Sequence, residues 1–120
     1  MKNYGAIISV SQKGNVCVVE MLAEEILEEV TINNLTESLF SLVAERPKVQ
    51  LLLSFTHVKH FSSSLLGTLI RLSKRVEENG GQLKLCEISP TLYEVFVITK
   101  LNKLFAIYQE REIALQSFTQ

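Results

Sequence analysis

The sequence predicts an α/β domain: a mixed, mainly parallel sheet with an N-terminal β-hairpin and about four helices. Three observations carry this reading. Short apolar strand-like runs alternate with helical apolar stripes along the chain. The run Val49, Leu51, Leu52, Leu53, Phe55 is nearly continuous, as in a strand buried on both faces of a parallel sheet. Helix stops and starts punctuate the runs at Arg46-Pro47, Gly80-Gly81 and Ser89-Pro90. The 120 residues suit one domain, 1–120, of a size that holds a core without disulfide or metal.

Residues 4–11 read as a strand around Ile7 and Ile8. Lys13-Gly14-Asn15 reads as a turn, and Val16 to Met21 as the returning strand of a hairpin. Residues 22–30 fit a helix start or an extended link, with Glu24, Glu25, Glu28 and Glu29 as a solvated face. From Thr31 the spacing of Leu35, Leu39, Leu42 and Val43 is helical, and Arg46-Pro47 ends it. After the strand Val49 to Phe55, a second helix runs from about Ser64 to Asn79 on Leu65, Leu66, Leu69, Ile70, Leu72 and Val76. Gly80-Gly81 stops it. Leu83 to Cys86 is a short strand, and Ser89-Pro90 places an N-cap serine before a proline at the first helical position. That helix reaches about Thr99. Leu104 to Tyr108 is the last strand and Glu110 to Phe118 the last helix. Strands separated by helices pair in parallel through right-handed crossovers.

Twelve basic and thirteen acidic residues leave a net charge of -1, against the basic excess of nucleic-acid binders. Arg71, Lys74 and Arg75 complement a helix C-terminus rather than form a phosphate track. Every acid is glutamate, which removes an aspartyl phosphoacceptor, Asp-based Mg²⁺ sites and a literal Ser-His-Asp triad. Cys17 and Cys86 read as reduced core thiols. The apolar run Ala6 to Ile8 is too short for a signal peptide core or a membrane span, so the expected location is cytoplasmic.

Ligands and partners of open α/β sheets meet the loops beyond the carboxyl ends of the strands. Two such loops are residues 56–64 and Glu87 to Ser89. The first carries Ser62, Ser63 and Ser64 at a helix start. One hydroxyl suffices to cap a helix. The others suit a phosphorylation site, because the helix N-terminus tolerates a phosphate whose charge remakes a binding surface.

On these residues the chain resembles the STAS domain of bacterial anti-sigma factor antagonists. That pattern runs from a buried strand through Asp-Ser-Ser/Thr-Gly-Leu-Gly, a helix with a Gly-Gly stop and a short strand to a Ser-Pro helix start. Here it reads Phe61-Ser62-Ser63-Ser64-Leu65-Leu66-Gly67, then Asn79-Gly80-Gly81, Leu83 to Cys86 and Ile88-Ser89-Pro90. Ile98-Thr99-Lys100-Leu101 to Phe105 is similar to the family's later segment, with Lys100 in place of its glycine. The resemblance covers about residues 47–116.

The resemblance implies a partner-switching regulator. An anti-sigma factor, or related serine kinase, would bind this surface and phosphorylate Ser63, releasing the partner. His60, Phe61, Ser62, Ser64, Leu65, Glu87 and Ser89 would contribute to that surface. Two departures bear on it: Ser62 stands for the family's Asp, and Leu65 for its glycine, where a large apolar group would crowd Ser63. The alternative is a non-phosphorylated STAS interaction or scaffold module, as a homodimer or within a larger signalling assembly. No enzyme, cofactor, metal, membrane or nucleic-acid role is expected. A hydrolase using His57 or His60 lacks the Gly-x-Ser-x-Gly elbow, the two histidines share no face in an extended loop, and no phosphate loop is present.

Overall fold

The computed structural model describes residues 2–4 and 7–118, with side chains from residue 7 onward. Its strands are β1 (Lys2–Tyr4), β2 (Ile8–Lys13), β3 (Val16–Met21), β4 (Glu25–Ile26), β5 (Gln50–Ser54), β6 (His60–Phe61), β7 (Gln82–Cys86) and β8 (Ala106–Tyr108). The helices among these residues are α1 (Glu29–Glu45), α2 (Ser63–Glu78), α3 (Pro90–Ile98) and α4 (Arg111–Ser117). The main sheet has the order β1-β2-β3-β5-β7-β8. Its first three strands are antiparallel, and β3, β5, β7 and β8 are parallel.

The predicted hairpin is β2–β3. Lys13 pairs with Val16, leaving a two-residue turn with Gly14 at φ +60°, which suits a glycine at its first position. The predicted first strand, 4–11, begins later and runs further; its residues 5 and 6 lie outside the described residues. The preceding strand β1 was not expected. The ambiguous stretch 22–30 resolves into β4 and the start of α1, and β4 pairs in parallel with β6. Two-residue strands have no period to read, so neither was legible.

Strand alternation sorts the core into two layers. Met21, Leu51, Leu53, Phe55 and Leu85 face α1, α2 and α3, which all lie on one side. Val16, Val18, Leu52 and Cys86 face α4 on the other. Leu51, Leu52 and Leu53 are each fully buried, as a strand covered on both faces requires. Cys17 lies in the first layer and Cys86 in the second, so the sheet separates the two free thiols. Burial raises the Cys17 thiol pKa. Desolvation, reinforced by the neighbouring Glu87 carboxylate, pushes Cys86 up to about 12. Neither thiol is therefore expected to react with iodoacetamide in the native protein at pH about 8, while both react in urea. Mass spectrometry after each treatment checks this.

Two helix ends fix the site-bearing loops. At the end of α2, Gly81 N–H donates to Val76 O at 2.9 Å and Gly80 N–H to Glu77 O at 3.0 Å, with Gly80 at φ +79°. This is a Schellman stop. At the start of α3, Leu92 N–H donates to Ser89 Oγ at 3.3 Å, with Pro90 just inside the helix. Between them Phe96 stands edge-to-face with Phe55, Phe61 and Phe105, at centroid separations of 6.2, 6.0 and 6.3 Å.

Candidate functional site

The loop from Phe55 to Ser62 is bound along its length. Val58, nearly fully buried, donates its N–H to Phe55 O at 3.0 Å. Lys59 and His60 both donate backbone N–H to Glu24 O, and Ser62 N–H donates to Ile26 O at 3.0 Å. With Ile26 in the core and Phe61 against Phe55 and Phe96, the segment entering α2 is a fixed platform.

Ser62 is the N-cap residue of α2, with extended dihedrals, but its side chain makes no capping bond. Its Oγ is buried without a hydrogen-bond partner among the described residues. The hydroxyl thus leaves unused the position that the resemblance gives to a carboxylate. Ser63 and Ser64 are exposed at the first two helical positions, and so are His60 and Ser89. Phe61 is half-buried.

Leu65 corrects an expectation. It is 0% exposed and belongs to the core with Leu69, Leu72 and Val76. It offers no surface to a partner and does not crowd Ser63, because helical geometry turns it about 200° from that residue.

Ser64 lines an open groove between α1 and α2 with Leu27, Glu29, Asn33, Thr68 and Arg71. At its base Thr36 Oγ1 donates to Ile32 O at 2.7 Å. That uses its proton, so the buried Thr68 hydroxyl donates to Thr36 Oγ1 at 3.0 Å. Arg71 Nη2 reaches Thr68 Oγ1 only at 3.4 Å. Leu27, which lines the groove, is 47% exposed.

Glu87 is elsewhere. It sits beyond β7 at φ +61°, and its carboxylate is occupied within the fold. Glu87 Oε1 accepts from Ser54 Oγ at 2.6 Å and from Arg111 Nε and Nη2 at 3.1 and 2.9 Å. Arg111 Nη2 also donates to Glu20 Oε2 at 2.6 Å, and His57 Nε2 lies 3.2 Å from Glu20 Oε1. The left-handed backbone of Glu87 costs roughly 1 kcal/mol and persists because these bonds hold its side chain.

Sequence reading missed this network, whose side chains come from four distant segments. One signal was present: Arg111 is a cation at a helix N-terminus, where the dipole disfavours it.

Hydrogen bonding from Arg111 holds the Glu20 pKa below the usual carboxylate range, against the opposing effect of burial. A lowered folded pKa gives stability that is present above the unfolded value and lost as pH falls through the folded one. Arg111→Met should cost about 1–3 kcal/mol at neutral pH, less than a fully buried pair because Arg111 is 27% exposed. The deficit should shrink below pH ~4 as Glu20 protonates. Urea unfolding of both proteins across this range measures it.

No helix of the described residues is long and apolar enough to cross a membrane. Comparison with known proteins agrees with the geometry. The STAS domain model matches residues 8–114. BtrV of Bordetella bronchiseptica, carried as a candidate anti-sigma factor antagonist, is 29% identical over 69 residues, which is 58% of this chain and 60% of that protein. The match therefore spans less than two thirds of that relative's length. An anti-sigma-factor antagonist (STAS) domain protein from Planctomyces limnophilus superposes with TM-score 0.83 at 22% identity, over 94% of this chain and 98% of that one. The anti-sigma factor antagonist SpoIIAA, in its unphosphorylated form, gives 0.76 at 16% identity over 93% and 96%. The Bacillus SpoIIAA in its phosphorylated form gives 0.67 at 17% over 92% and 98%. These structures establish the fold, and the family match over most of its length establishes that the chain belongs to the STAS domain family.

Proposed function

We propose that this chain is an anti-sigma factor antagonist of the partner-switching kind, without enzymatic activity of its own and working in the cytoplasm. It binds an anti-sigma factor with serine-kinase activity through the N-terminus of α2 and the adjoining α1–α2 groove. Phosphorylation of Ser63 releases that partner. The observation that carries this reading is the placement of Ser63: exposed, first in α2, on a loop that hydrogen bonds and aromatic packing hold in one conformation. The phosphorylated and unphosphorylated forms of SpoIIAA support it by likeness.

The mechanism is electrostatic. A phosphate adds about two negative charges at the centre of a surface that a docked partner has already desolvated. The helix N-terminus accommodates the charge in the free protein, where water also solvates it. In the complex that solvation is lost, so the modified form dissociates.

Titration calorimetry against a kinase-type anti-sigma factor of the same genome tests this. The unmodified chain and Ser63→Ala should bind alike, and Ser63→Glu should bind ~100-fold more weakly. A second reading rests on Ser62, whose hydroxyl leaves no carboxylate beside Ser63. On that reading the chain is a constitutive interaction module, and Ser63→Glu binds its partner as the parent does.

A further inference from the structure

We infer that the outer face of α3, with the turn that follows it, is a second docking surface, for an amphipathic acidic segment of a partner protein. Of the nine residues of α3, Leu92 and Phe96 are buried and Val95 is half-buried. The rest of its apolar side chains face water: Tyr93 is 38% exposed, Val97 46% and Ile98 78%. Tyr93 and Val97 are one helical turn apart on one side of the outer face, and Ile98 lies about 100° further round it, one turn after Glu94. Leu104, 52% exposed, follows in the turn beyond the helix. Isolated exposed apolar residues need no explanation, but three on the outer face of one nine-residue helix, with a fourth just beyond it, suit an interaction surface.

The charges beside this surface specify its occupant. Lys100 and Lys103 are exposed between Ile98 and Leu104, and neither ammonium makes an ion pair among the described residues. The α3 dipole gives both a reason to be basic. It gives none for the apolar side chains around them, nor for the backbone at Lys100. That residue sits at φ +64°, where glycine would be free of strain. Phe105 enforces the conformation: it returns to the core against Phe96 and donates its N–H to Leu101 O at 3.0 Å. The result is a rigid apolar surface with two unsatisfied cations at one end and Glu94 toward the other. It complements a helix that presents apolar side chains on one face and carboxylates toward the lysines.

Amide NMR spectra of the chain, titrated with a synthetic amphipathic peptide of leucine and glutamate, test the inference. Shift changes should be confined to residues 93–104. Ile98→Glu, at the most exposed of these sites, should fold normally and weaken binding at least ~10-fold. Lys100→Gly should raise the melting temperature, by relieving the left-handed backbone, while weakening binding. Ser63→Glu should leave binding unchanged, which separates this surface from the one proposed above. An equal response to a control peptide with lysine in place of each glutamate, shift changes elsewhere, or none would overturn the inference. So would self-association by sedimentation, or binding to phosphatidylglycerol vesicles, that Ile98→Glu abolishes, because the occupant would then be a second copy or a lipid surface.

Discussion

Phe96→Ala should be the most damaging conservative truncation in this protein, at about 3–5 kcal/mol. Phe96 is 0% exposed and is the ring on which three others converge edge-to-face. Removing it loses the transfer energy of an aromatic ring, its edge-to-face contacts, and the packing around the hole it leaves. The surrounding groups cannot collapse freely. Phe55 is fixed at the end of β5, Phe61 in the β4–β6 pair and Phe105 behind the turn after α3. A domain of this size has only about 5–15 kcal/mol of stability, so the variant should be close to unfolded near body temperature. The neighbouring Val97→Ala, at a half-exposed position, should stay within about 0.5 kcal/mol of the parent. Urea unfolding of the pair measures the contrast. Similar losses at the two positions would contradict the assignment of core and surface on α3.

The second large effect is expected at Gly81, not at the glycine with the unusual backbone. A Cβ built on Gly81 would approach Val49 O to 2.2 Å and Val49 N to 3.0 Å. Both are backbone atoms, and Val49 O accepts the Gln82 N–H bond that starts the β5–β7 pairing. Relief would require the two strands to separate, so Gly81→Ala should cost about 3 kcal/mol or more. Gly80 carries the left-handed φ of +79°, but its Cβ would meet only the flexible Lys48 side chain, at 3.4 Å. Gly80→Ala should therefore cost about 1–2 kcal/mol, the backbone penalty alone. Thermal or urea unfolding ranks the two, and a larger loss at Gly80 would show that helix termination outweighs strand approach here.

Long or continuous patterns were legible in the sequence. The run of β5 and the stripe of α2 are set by burial on known faces, and Ser89-Pro90 marks α3 through local capping chemistry. The stripe itself already placed Leu65 with Leu69 and Leu72; matching it to a family glycine drew it wrongly toward the surface. The pairing of β4 with β6 depends on tertiary contact between short segments with no period of their own. The bonds among Glu20, Ser54, Glu87 and Arg111 join positions separated by up to 91 residues. Only the misplaced charge at the start of α4 hinted at them. The resemblance assigns Glu87 to the partner-binding surface, but its carboxylate is used to hold the fold.

On the proposed function, the exposed serine at the first position of α2 is the regulatory one. Phosphosite mapping by mass spectrometry tests it most directly, on protein isolated from its native cells during growth and under stress. The expected result is phosphate on Ser63, in a proportion that changes between the two conditions. Unmodified peptide spanning residues 61–67, at full coverage in both conditions, would contradict the claim and leave the constitutive interaction module in its place.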